Sequence, residues 1–277
     1  MQRSLAEMIE TGQPTMLVEV ASVRGSVPRE AGAWMLVSVA AVAGTVGGGQ
    51  LEYMAIDRAR QLLRRSARSE RMSVPLGPEI GQCCGGRVTL ALAGLDAGLA
   101  ETLRRRLRAE ADARRHVLIF GAGHVGRALA AALALLPVRA VLIDQRAAEL
   151  ALAGRVETKL TPIPEAEVAD APPGSAYVVL THDHALDFLI VGAALDRADA
   201  SYVGLIGSAT KRARFVSWWG RGAADVAGLT CPIGGASGDK RPAVIAACTA
   251  AELMTQLGAR PAPNDSEVHR NDHDRTA

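Results

Sequence analysis

Aromatic side chains are scarce in this sequence: three Trp, three Tyr and three Phe among 277 residues, 3% of the chain. That scarcity argues against a single-strand nucleic-acid binder, which holds bases on stacked aromatic rings. Charge of one sign is missing too. The 31 Lys and Arg stand against 29 Asp and Glu, a formal net charge of +2, so no dedicated nucleic-acid surface is expected. Cysteine is rare, with only Cys83, Cys84, Cys231 and Cys248. Two adjacent and two isolated cysteines in so long a chain do not make the disulfide framework of a small secreted domain. Adjacent cysteines also lack the spacing of a zinc-finger pair. Long hydrophobic runs are absent. The longest apolar stretch, about residues 31–49, is broken by glycines and is too short and irregular to cross a bilayer. The N-terminus lacks the apolar segment of a signal peptide. The expectation is a cytoplasmic protein with no nucleic-acid or membrane partner.

Apolar residues are plentiful, at 49% against 22% charged, an ordinary balance for a soluble globular protein. The length suggests two domains. Thr15–Val23, Ala33–Val39 and Ala41–Val46 read as strands, with the turn-rich stretch Arg24–Gly32 between the first two. From Leu51 the apolar positions Leu51, Met54, Ala55, Ala59, Leu62 and Leu63 fall at helical spacing. Arg71–Pro75 and Arg87–Ala93 read as further strands. Leu99–Ala113 is a charged helix whose arginines suit a solvated face or connector. From His116 the pattern changes. Strands at Val117–Phe120, Arg139–Ile143, Tyr177–Leu180 and Tyr202–Ile206 alternate with helices near residues 125–136 and 185–196, which implies a parallel sheet. A last helix spans about residues 242–257. The fold class expected is α/β: a small N-terminal α+β domain (1–98), a helical connector (99–115), a Rossmann-like domain (116–258) and a disordered tail (259–277).

Six groups of residues have chemical potential. The loop Gly121-Ala122-Gly123-His124-Val125-Gly126 follows a strand, opens a helix and is trailed by Asp144 at the end of the next strand. Gly121 would make the tight turn, Gly123 would admit a phosphate, and Gly126 would let helix and strand pack closely. Gly81-Gln82-Cys83-Cys84-Gly85-Gly86 holds either two buried thiols beside a turn or a reactive, metal-coordinating thiolate in a backbone-lined pocket. Arg24 and Arg29 flank a turn containing Ser26, and form either a solvated surface or an anion clamp. Gly47-Gly48-Gly49 precedes a helix N-terminus, where freed N–H groups suit an anion. Thr181-His182-Asp183-His184 lies past a strand's carboxyl end. There His182 would border a ligand, cap a loop or pair with His184 on a metal. Ser208 is an expected helix N-cap, and Lys211, Arg212 and Arg214 after it form either a solvated helix face or, with that helix start, an anion site.

These residues together resemble one family. GSVPREAGAWMLV (25–37), GTVGGGQLE (44–52), GPEIGQCCGGRV (77–88), FGAGHVGRAL (120–129), THDHALD (181–187) and GLIGSATKRARF (204–215) are similar, in order, to the XdhC/CoxI family. These are accessory proteins of xanthine dehydrogenase and related molybdenum hydroxylases. The sequence departs from the family at the start of the last helix, where acidic residues are replaced by Ala243 and Val244 after Pro242. The resemblance implies a two-domain homodimer that binds molybdenum cofactor (molybdopterin). It also implies that the protein supports the cofactor's sulfuration by a cysteine desulfurase and delivers it to apo-xanthine dehydrogenase or a related hydroxylase. That makes it a chaperone rather than an enzyme. Arg24, Ser26, Arg29, Gly47, Gly48, Gly49, Gln82, Gly85 and Gly86 are then candidates for the cofactor pocket. Cys83 and Cys84 become candidate thiolate ligands of the metal, since soft donors suit it. Two other readings stay open. One is an NAD(P)-dependent oxidoreductase using Gly121, Gly123, Gly126 and Asp144, with His182 or His184 as acid/base. The other is an interaction scaffold whose Rossmann half holds no ligand.

Overall fold

The computed structural model describes residues 2–78, 85–220, 226–235 and 238–258. The expected tail, 259–277, lies outside the described residues. The chain divides into two units, Met1–Asp112 and Ala113–Ala277.

In the first unit α1 (Gln2–Glu10) precedes β1 (Thr15–Arg24), β2 (Trp34–Ser38) and β3 (Val42–Gly44). α2 (Gly49–Arg64), β4 (Ser69–Pro75), β5 (Arg87–Gly94) and α3 (Ala97–Asp112) complete it. The strands form one antiparallel sheet in the order β3-β2-β1-β5-β4. Side chains alternate across a strand, and both faces of this sheet are covered. Met16, Val18 and Val20 turn to Leu51, Ala55, Ala59 and Leu62 of α2. Leu17 and Leu36 turn instead to Leu5 and Ile9 of α1 and to Ala100 and Leu103 of α3. Two covered faces explain why β1 opens as a continuous apolar run. Each fully buried leucine adds about 1.5–3 kcal/mol.

α1 escaped the sequence reading, because a helix of nine residues shows only the pair Leu5 and Ile9. α3 carries its arginines outward, yet it closes one layer of this core. Its Arg106 donates to Glu19 at 2.8 Å and to the Gly32 carbonyl, and lies 5.4 Å from the centre of the Trp34 ring. The arginine thus ties the loop after β1 to the helix.

The second unit alternates strand and helix: β6 (Arg115–Phe120), α4 (His124–Leu133), β7 (Val138–Asp144), α5 (Ala147–Ala151), β8 (Glu157–Leu160) and α6 (Ala166–Asp170). It continues with β9 (Ala176–Val179), α7 (His184–Asp196), β10 (Tyr202–Leu205), α8 (Ala209–Trp219), β11 (Leu229–Thr230) and α9 (Pro242–Gly258). All strand pairs are parallel, in the order β11-β10-β9-β6-β7-β8. The unit's first strand lies in the middle, the next two run to one side and the last three to the other. That is the doubly wound order of the Rossmann fold, and its direction reverses between β6 and β9.

α4 and α9 pack on one face through Leu129, Leu133, Ala250 and Leu253. α6, α7 and α8 pack on the other through Val168, Ile190, Val191 and Phe215. The expected α/β class, a small α+β unit before a Rossmann-like domain with a parallel sheet, is the one observed, and the first unit's sheet is antiparallel. The short elements α5, β8, α6 and β11 were not foreseen. β8 is exposed at all four residues and so has no apolar alternation to read.

Candidate functional site

The glycine loop of the second unit leaves β6 at the point where the strand order reverses. Gly121 has φ +114, and a Cβ there would lie 2.4 Å from the Leu180 carbonyl oxygen. A Cβ at Gly126 would lie 1.9 Å from the Gly121 carbonyl oxygen. The protein's own packing therefore requires both glycines. Gly123 differs: it has φ −67, and a Cβ there would meet nothing within 4 Å. It caps α4 with no side-chain hydrogen bond, so first-turn N–H groups of the helix have no side-chain acceptor at that cap.

Asp144 ends β7 and is buried. Its carboxylate accepts the Ala122 N–H at 2.6 Å and the Arg146 N–H at 2.9 Å. Two further bonds of 2.9 Å come from the Arg146 guanidinium. Burial pulls the Asp144 pKa up. The Arg146 guanidinium and the two backbone N–H groups outweigh it and hold the carboxyl below its ordinary range. The acid expected on a ribose thus locks the glycine loop to the arginine two residues on. His182 is exposed. With Gly121, Asp144, Gln145 and Thr181 it lines a cavity of about 10 Å³, room for about one water. The structure therefore brings Gly121, Asp144 and His182 together around a water-sized space. Arg146 went unread in the sequence. An arginine two residues after a strand-end acid was its available signal.

The Thr181–Asp187 motif is a turn-and-cap device. Asp183 caps α7, accepting the N–H groups of Ala185 and Leu186. Asp187 is fully buried, accepts Thr181 Oγ1 at 2.7 Å and its N–H at 3.0 Å, and holds Lys211 Nζ at 2.5 Å. Among the described residues no group of three or more His, Cys, Asp and Glu is placed to hold a metal ion. Cys231 is a free thiol. Burial pushes its pKa up, against the pull of Lys211 and Arg212.

In the first unit the three candidate loops approach one another. Arg24 pairs with Arg87 across β1 and β5, and Ser26 bridges to Gly85. A Cβ at Gly86 would lie 2.1 Å from the Ser26 carbonyl oxygen, and one at Gly47 would lie 2.8 Å from the Pro28 ring. Arg24, Ser26 and Arg29 are exposed. Arg29 borders a hollow of about 430 Å³ with Pro28, Glu30 and Ala33.

The Gly47–Gly49 loop already holds an anion supplied by its own helix. Glu52 Oε2 accepts the N–H groups of Val46 and Gly48, each at 3.2 Å, and the Thr45 hydroxyl. Glu52 escaped the sequence reading. An acid in the first turn of a glycine-led helix was its signal. Gln82, Cys83 and Cys84 lie outside the described residues.

Comparison with known proteins matches each unit separately. Residues 117–253 match the model of the XdhC Rossmann domain, and residues 8–74 match that of the XdhC and CoxI family. A protein of Escherichia coli K12, the uncharacterized protein YqeB, is 29% identical over 134 residues. The match spans 47% of this chain but only 22% of that protein. A Bacillus halodurans protein, described as a xanthine dehydrogenase, has a crystal structure that superposes with a TM-score of 0.81 at 18% identity. The superposition covers 96% of this chain and 98% of that one. At that identity the likeness establishes the fold.

Proposed function

The chain belongs to the XdhC and CoxI family, and from that premise we propose that it is an accessory factor in maturation of xanthine dehydrogenase or a related molybdenum hydroxylase. In this reading it binds molybdenum cofactor, keeps it for sulfuration by a cysteine desulfurase, and passes it to the apo-hydroxylase. It would do so as a homodimer and a chaperone, with no catalytic residue of its own. The observation that carries the reading is the meeting of the Arg24–Gly32, Gly47–Gly49 and Gly85–Gly86 loops at one end of the first unit's sheet.

The donor set fits a phosphate-bearing pterin. Among the described residues no carboxylate pairs with Arg24 or Arg29, and arginine takes phosphate through two parallel bonds. Ser26, Gly85 and Gly86 would line the same end. Gly47, Gly48 and Gly49 would shape the wall rather than supply every donor, since Glu52 takes part of that capacity. Cys83 and Cys84 would present thiolates to the metal. Once bound, the cofactor supplies the metal–dithiolene centre the client needs. The protein's task is to hold it and exclude water.

The test is the molybdenum and pterin content of protein purified anaerobically from a cofactor-producing host fed with molybdate. Near-stoichiometric content should fall at least about tenfold in the Cys83→Ala, Cys84→Ala double variant, the cost of losing one strong bond or more. Equal content in wild type and double variant would remove the thiolates from the account.

A second reading, an NAD(P)-dependent oxidoreductase, draws support from one observation, the open space over Gly123. The commitment of Asp144 to Arg146 and Ala122 counts against it.

A further inference from the structure

Four of the chain's few aromatic residues meet on α7 and α8. Phe188 lies edge-on to Phe215 at 5.4 Å between ring centres and 5.6 Å from Trp218. Trp219 stacks on Phe215 at 5.4 Å. Trp218 remains 52% exposed. Beside this cluster, past the carboxyl end of β10, an open cleft of about 700 Å³ lies between the starts of the two helices. Phe188 and Ile206 form its apolar wall. Ser208, Lys211, Arg214 and His184 form its polar side, and no carboxylate among the described residues lines it.

Of the two cations, Lys211 is held in place. The Lys211 stem lies against Gly207, where a Cβ would fall 2.6 Å from Lys211 Cδ. Its ammonium spends one bond on the buried Asp187 and has two protons left. Ser208 caps α8 by accepting the Lys211 N–H at 3.3 Å. The N–H groups of Ala209 and Thr210 have no acceptor within the helix and add partial positive charge at the same end.

An apolar wall, the Arg214 guanidinium, the spare protons of the Asp187-paired Lys211 and a helix start select an anion with a flat ring. A bare inorganic anion would leave Phe188 and Ile206 unused, and an uncharged ring would leave Arg214 unused. The volume falls within the range of about 300–1,000 Å³ for small-molecule sites. We propose that this cleft binds a nucleoside-monophosphate-sized ligand, with its ring against Phe188 and its phosphate between Arg214, Lys211 and the first turn of α8.

The full chain is titrated with guanosine 5′-monophosphate and adenosine 5′-monophosphate, following tryptophan emission and heat, with guanosine and inorganic phosphate as controls. At least one nucleotide should bind with a Kd below about 1 mM, changing the tryptophan emission. Arg214→Gln, an exposed position, should weaken binding about tenfold by removing a charge-assisted pair, and Phe188→Leu several-fold. Lys211 is left intact, because removing it would strand a buried carboxylate. The proposal is overturned if neither nucleotide binds, if either control binds as tightly, or if binding ignores Arg214→Gln.

Discussion

Two glycine-rich loops open helices among the described residues, and they meet their internal carboxylates differently: one at the helix start, the other at Ala122, before the helix cap. Before α2, the loop Gly47–Gly49 receives Glu52, a carboxylate from the helix's own first turn. Before α4, Gly123 is capped by no side chain, and the space over it is open. As sequences the two loops look alike. The difference teaches that glycine marks where backbone donors can be exposed. Whether a ligand is needed depends on whether the chain supplies its own anion.

The largest effect expected from breaking this comparison is at Gly126. Gly126→Ala puts a methyl 1.9 Å from a backbone oxygen and should cost about 3 kcal/mol or more, read as a lower urea midpoint. Next is Glu52→Ala. It empties the first loop and should cost about 1–2 kcal/mol, as loss of a cap does. Sulfate should then restore stability to the variant more than to wild type, and an equal response would mean that Glu52 is no stand-in anion.

A smaller, pH-dependent effect belongs to Asp144. Its folded pKa lies below the unfolded value. Its contribution is therefore complete above about pH 4 and is lost as pH falls through the folded value. Acid titration of stability should show this loss in wild type and a flatter profile in Asp144→Asn. The smallest effect is at Gly123. Gly123→Ala meets no atom and should change stability by less than about 0.5 kcal/mol. Any ligand that approaches this loop should nonetheless bind less tightly, and unchanged binding of every ligand found for the second unit would leave the glycine unexplained.

The comparison also marks the limit of the sequence reading. The strand–glycine–helix run at 117–133 was legible because each part has a local cause: apolar strand residues, a turn only glycine tolerates, then helical periodicity. The strands β1, β2 and β5 of the first unit were legible for the same reason, whereas their antiparallel pairing was not. Glu52 was not, because nothing local says that its side chain folds back over the loop rather than facing solvent. Arg146 was hidden by its ordinary appearance on a surface turn. The histidines drew attention by residue type, whereas Thr181, Asp183 and Asp187 do the structural work of that motif.

The sequence by itself determined the longer elements, the parallel Rossmann-like character of the second unit and the family, since these rest on periodicity, turn chemistry and motif order along the chain. Only the tertiary structure decided which polar groups remain available. Asp144 meets Ala122 across 22 residues and Asp187 meets Lys211 across 24. Such partners find each other only when the sheet aligns its strand ends. A buried carboxylate must then be satisfied by whatever donor folding has delivered.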